Sequence, residues 1–141
     1  MSITDFDKKR KDTQGSSLEE SEIYKFVQDK KILRALLENR IFKLRKIQEE
    51  AIKKGLFFRK SFLVCAPSGS GKTLIGELCA VNNIFQKYGK SVYLVPFKAL
   101  ATEKFFHFKN TYRKYGVRVE LSIGDYDVED KKLAKADIIV T

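Results

Sequence analysis

Five residues in a row, Phe62-Leu63-Val64-Cys65-Ala66, are apolar and run directly into the turn Pro67-Ser68-Gly69-Ser70-Gly71, which ends at Lys72-Thr73. The segment that follows carries Leu74, Leu78, Val81, Phe85 and Tyr88 on one stripe, the period of an amphipathic helix that stops near Gly89. A buried strand, a tight turn and a helix make a unit that cannot cover its own strand. It requires a parallel sheet with helices laid against it.

The rest of the chain agrees. Val92-Tyr93-Leu94-Val95 is a second apolar run, ended by Pro96, and Ile138-Ile139-Val140 is a third. Val117 to Ile123 alternates apolar and polar residues, as a strand with one wet face near a sheet edge would. Between them, Ala99 to Tyr115 places Ala101, Phe105, Phe108, Tyr112 and Tyr115 at spacings of four and three, an aromatic stripe expected to pack on the sheet rather than to stack on bases. The expected class is α/β, with a mainly parallel sheet flanked by helices. Ahead of it, Met1–Ser17 reads as a disordered tail, and residues 18–57 as a helical segment. That segment holds one helix, whole or in two pieces, opened by a Ser17/Glu20 capping box and running to Asn39, and a second from Leu44 to Lys54. Residues 58–141 then form the sheet domain.

The turn also has chemistry. Holding a triphosphate takes backbone N–H groups aimed at its oxygens, a cation by the β and γ phosphates, and a hydroxyl for Mg2+. Gly69, Ser70 and Gly71 let the backbone approach closely, Lys72 supplies the cation, and Thr73 supplies the hydroxyl. Ala66 stands where the strict pattern of such loops has Gly, and Pro67 and Ser68 complete the loop.

Composition sets limits on other chemistry. The net charge of +10 is spread along the chain, with +6 in residues 1–60 and +4 in residues 61–141, and suits a phosphate polyanion as well as it suits plain solubility. The cluster Lys8-Lys9-Arg10-Lys11 is read as a solvated part of the tail. His107 is the one histidine, so neither a His-based triad nor a multi-histidine zinc site can be built. Cys65 and Cys79 are expected to be buried, reduced thiols. With no apolar run of membrane-spanning length and a polar N-terminus, a cytoplasmic location and no membrane partner are expected.

An Ala-first loop of this kind resembles that of superfamily 2 DExH-type helicases, and further matches follow in order. Gln48, in Arg45-Lys46-Ile47-Gln48, lies upstream where those proteins carry an adenine-reading Gln. Tyr93 to Lys104 looks like their motif Ia, with wording most similar to the Ski-like branch and the archaeal Hjm-type DNA repair helicases. Gly124-Asp125-Tyr126-Asp127 and Asp137 to Thr141 resemble the next turn and strand of that branch.

The resemblance covers roughly Leu33 to Thr141 and implies the first part of a RecA-like P-loop NTPase domain using ATP and Mg2+. It implies ATP binding by Gln48, Ala66, Pro67, Ser68, Gly69, Ser70, Gly71, Lys72 and Thr73. Lys72 and Thr73 would be catalytic, with Thr73 on the metal. Pro96, Lys98, Ala99 and Leu100 would touch the backbone of a nucleic acid, single-stranded or branched DNA rather than RNA. Such enzymes also need an Asp-Glu motif and a second RecA-like domain. Neither occurs before Thr141, and Asp127 to Asp130 reads as a polar loop, so this chain alone is expected to be inactive and to partner with the remainder of a helicase. Two other readings share the loop. One is a non-catalytic nucleotide- or nucleic-acid-binding module. The other is a small nucleotide kinase or unrelated P-loop ATPase, against which the motif Ia segment argues.

Overall fold

The computed structural model describes residues 21–124 and 129–141, so the Ser17/Glu20 box, the basic cluster and Asp125 to Asp127 lie outside the described residues. The chain divides into two compact units, Met1–Leu44 and Arg45–Thr141. That division falls ahead of the expected boundary at residue 57.

In the first unit the expected helix is in two pieces, a 3-10 turn Glu22–Lys25 and helix α1, Lys30–Glu38. The Asp29 carboxylate accepts hydrogen bonds from the N–H groups of Lys31 (2.9 Å) and Ile32 (3.2 Å), so it satisfies two otherwise unpaired donors and fixes where α1 begins. Ile23, Val27, Ile32, Leu33, Leu36 and Leu44 are buried.

The second unit is built on a parallel sheet. Strands β1 (Ser91–Tyr93) and β2 (Val119–Leu121) both pair with β3 (Ile138–Val140), giving the order β1-β3-β2. The alternating segment is thus an edge strand, as its wet face requires. Ile138 and Val140 of the central strand are fully buried. At the start of β2 and β3, Arg118 holds the Asp137 carboxylate through Nε (3.1 Å), Nη2 (3.0 Å) and its own backbone N–H (2.8 Å), which sets the register of the two strands.

Helices α2 (Lys46–Lys53), α3 (Lys72–Phe85), α4 (Lys98–Tyr112) and α5 (Asp130–Lys135) complete the unit. Phe108, Tyr112, Leu78 and Val81 are completely buried, so the middle of each stripe faces the core, while Tyr88, past the end of α3, is 42% exposed. Tyr93 of β1 meets Phe108 edge-on at 5.1 Å, and Phe85 of α3 meets Tyr112 at 6.4 Å. Of the run Asp127 to Asp130, read as a polar loop, Asp127 and Val128 lie outside the described residues, Glu129 is outside any helix, and Asp130 opens the short helix α5. Lys90 donates to the last carbonyls of that helix, Leu133 (3.0 Å) and Ala134, where a cation is favoured.

Two expectations fail. Phe62 to Ala66 belongs to none of the described strands, and Leu63 is 89% exposed. Cys65 and Cys79 are exposed, not buried. An apolar run becomes a covered strand only when neighbours pair with it, and none of the described strands does so here. Val92 in β1 and Leu94 just past it, at an edge of the sheet, are likewise exposed. A cleft of about 360 Å3 runs between that edge and α3, lined by Gly76, Cys79, Asn83, Val92, Tyr93 and Leu94. It contains none of the Gly-rich loop. Among the described residues no helix is long and apolar enough to cross a membrane.

Candidate functional site

The loop takes its shape from glycine. Gly69 (φ 76°) and Gly71 (φ 99°) occupy the left-handed region, where a side chain is strained. Gly71 caps α3, so Lys72 and Thr73 open the helix and its first N–H groups point into the loop. Ser70 N–H donates to the Pro67 carbonyl at 3.2 Å, closing the turn. The Ser70 hydroxyl is buried with no protein partner, a polar group held ready for something polar.

Three side chains brace this turn. Lys72 reaches back to donate to the carbonyls of Ala66 and, at 2.9 Å, Pro67. Arg45 donates through Nη1 to the Gly69 carbonyl. Gln48 Nε2 donates to the Gly71 carbonyl at 3.0 Å, and its Oε1 accepts from the Arg45 N–H at 2.8 Å, which also caps α2. A Cβ on Gly71 would come within 2.5 Å of Gln48 Nε2, so a side chain there would both strain the φ and push the end of the Gln48 side chain aside.

Gln48 is therefore neither an exposed polar residue nor turned outward: it is 4% exposed, with both ends of its amide engaged. Arg45 went unread as a loop partner. Its contact with Gly69 spans 24 residues, and only the Arg45-to-Gln48 wording hints at it. Ser68 and Thr73 are exposed at the loop surface. Pro96, Lys98 and Ala99 are exposed and Leu100 half-buried where β1 leads into α4, so the structure groups them together but apart from the loop in sequence.

Behind the loop lies a buried polar cluster. Glu77, one turn beyond Thr73 and 7% exposed, accepts from the Tyr112 hydroxyl at 2.6 Å and pairs with His107 Nε2 at 2.8 Å. That hydrogen bond raises the His107 pKa, against a smaller lowering by burial. Burial, then the Glu77 charge, push the Tyr112 hydroxyl far above its usual value. Among the described residues no group of three or more His, Cys, Asp or Glu could hold a metal by itself. A divalent ion would have to arrive with the phosphates it neutralises.

A parallel sheet whose Gly-rich loop opens a helix, with an upstream Gln-bearing helix clasping that loop, defines a P-loop nucleotide-binding unit. Residues 45–141 match the DEAD/DEAH box helicase family, and the chain belongs to it. It is 44% identical over 117 residues to the ATP-dependent DNA helicase Hel308 of Methanocaldococcus jannaschii, covering 79% of this chain and 10% of that protein. It is 44% identical over 116 residues to the Hel308 of Methanococcus vannielii, covering 78% and 15%. With the Hel308 of Caldivirga maquilingensis it shares 49% over 94 residues, covering 67% and 12%. The chain thus spans only a small part of the length of the curated relatives it matches.

Proposed function

We propose that this chain is the ATP-binding N-terminal portion of an ATP-dependent DNA helicase. The observation that carries the proposal is the loop itself. Left-handed Gly69 and Gly71, an unpartnered buried Ser70 hydroxyl and Lys72 at the head of α3 fit a phosphate chain. Lys72 would exchange the Ala66 and Pro67 carbonyls for β and γ phosphate oxygens, and Thr73 would offer its hydroxyl to Mg2+. The ion, when bound, supplies charge neutralisation between the phosphates. Ala66, Pro67 and Ser68 form the loop's outer wall, and Gln48 serves the ATP site by holding Gly71 in place. Contact with adenine would require its amide to give up that carbonyl.

Pro96, Lys98, Ala99 and Leu100 are proposed to meet the DNA backbone. The support is the exposure of Pro96, Lys98 and Ala99 around the α4 N-terminus, which suits phosphate contacts without base readout. DNA, rather than RNA, follows the relatives' names, and a cytoplasmic setting follows the substrate. The chain alone is proposed to bind without turnover. Glu77 is the one acidic residue on α3 and both its oxygens are engaged, so α3 has no carboxylate to activate water.

The test is paired titration of ADP and of single-stranded DNA, with a salt series for the DNA. Lys98→Ala should weaken DNA binding and reduce the salt slope by about one, as for a single phosphate contact. DNA affinity indifferent to salt and to Lys98 would remove the interface from the proposal.

A further inference from the structure

Gly76 and Glu77 stand side by side on α3, one turn beyond the loop, and face the two elements, β1 and α4, between which the chain passes through Pro96. On the strand side, Gly76 faces the Tyr93 ring of β1, where a Cβ would stand at an ordinary contact distance of 3.4 Å. On the helix side, the Glu77 carboxylate takes the Tyr112 hydroxyl with one oxygen and His107 with the other, both from α4. The proposed DNA segment spans the end of the connection after that strand and the first turn of that helix. Glu77 thus ties α4, whose first turn carries Lys98, Ala99 and Leu100, to the helix that begins with Lys72.

Packing alone does not call for this arrangement. Phe85, Tyr93, Phe108 and Tyr112 already form an edge-on aromatic cluster between the same elements. A carboxylate inside such a cluster is costly to bury and is commonly no better for stability than an apolar residue of the same size. What two directional hydrogen bonds add is position. Aromatic edges tolerate sliding along a helix axis, whereas a 2.6 Å and a 2.8 Å bond from one carboxylate fix α4 axially and rotationally on α3.

We infer that Glu77 is a positioning residue that couples nucleotide binding at the loop to DNA binding at the Pro96–Leu100 segment, by locking α4 to α3. The inference rests on the function proposed above and assigns the route between its two sites. A shift of α3 on phosphate binding is passed to α4 as a rigid-body movement when the lock is intact, and is absorbed by the aromatic cluster when it is not. Coupling of this kind is reciprocal, so each ligand changes the other's affinity by the same factor.

The test measures ADP affinity of the 141-residue chain with and without saturating oligothymidylate, in wild type, Glu77→Leu, Tyr112→Phe and Glu77→Gln. Circular dichroism checks each fold, and Tyr112→Phe, which keeps the ring, decides the matter if Glu77→Leu does not fold. Wild type should show a change of about fivefold or more, at the low end of usual coupling. Tyr112→Phe and Glu77→Leu should bind each ligand alone within about twofold of wild type, yet bring the ratio close to one. Glu77→Gln should keep it, since its oxygen still accepts from Tyr112 and its amide still reaches His107.

A wild type that binds both ligands without coupling, or a ratio unchanged in Tyr112→Phe and Glu77→Leu, overturns the inference. Failure of Glu77→Gln to retain a ratio that Tyr112→Phe also abolishes counts against the hydrogen-bonding lock as described. A wild type that binds neither ADP nor DNA defeats the functional proposal first, and the coupling with it.

Discussion

The Gln48 side chain donates to the carbonyl of Gly71 at 3.0 Å, and any side chain placed on Gly71 would run into it at 2.5 Å. The residue that braces the loop is thus also the residue that restricts what the loop can contain. Gly71→Ala should combine a strained φ with that collision and cost about 1–3 kcal/mol. Gly69→Ala, where a Cβ meets nothing within 4 Å, should carry only the φ penalty. Thermal melts of the two variants should therefore rank Gly71→Ala well below Gly69→Ala, and the reverse order would mean that the loop is arranged differently.

Gln48→Ala separates a brace from a base reader. With both ends of its amide engaged by Arg45 and Gly71, its loss should weaken ADP and GDP in parallel, by about tenfold if one buried hydrogen-bond pair is forfeited. A variant that loses only its preference for adenine over guanine would show that Gln48 leaves Gly71 to meet the base.

The Glu77–His107 pair gives a pH dependence of known sign. The folded-state pKa of His107 is raised, mainly by its hydrogen bond to Glu77, with Lys104 opposing and Glu103 assisting. The pair's charge contribution is therefore fully present below the ordinary histidine value of 6.5 and is lost as pH rises through the raised value. Melting temperatures of wild type and His107→Gln should converge as pH climbs above neutrality. A gap that widens with rising pH would contradict the pairing.

Much of this architecture was legible from particular residues. The apolar runs at Val92 and Ile138 gave parallel strands, the alternation from Val117 gave an edge strand, and the Phe108/Tyr112 stripe gave a core-facing helix. The family assignment was legible too, because Ala66, Lys72, Gln48 and the segment from Tyr93 occur in a fixed order along the chain. What could not be read was pairing at a distance. Phe62 to Ala66 has the composition of a covered strand, but composition does not supply a partner, and Cys65 is exposed as a result. Arg45 on Gly69 and Glu77 on Tyr112 join residues 24 and 35 apart, a separation at which no local period leaves a trace. Helix α5 was hidden for the opposite reason: its six residues are too polar and too few to show a stripe.

The central claim is that Ala66–Thr73 is a nucleotide-phosphate site, and Lys72 tests it most directly. Isothermal titration of ADP in the presence of Mg2+ should give clear binding to the wild-type chain. Lys72→Ala should weaken it by about tenfold or more, with circular dichroism unchanged, because the phosphates lose a charge-assisted donor. An ADP affinity unaltered by Lys72→Ala would contradict the site.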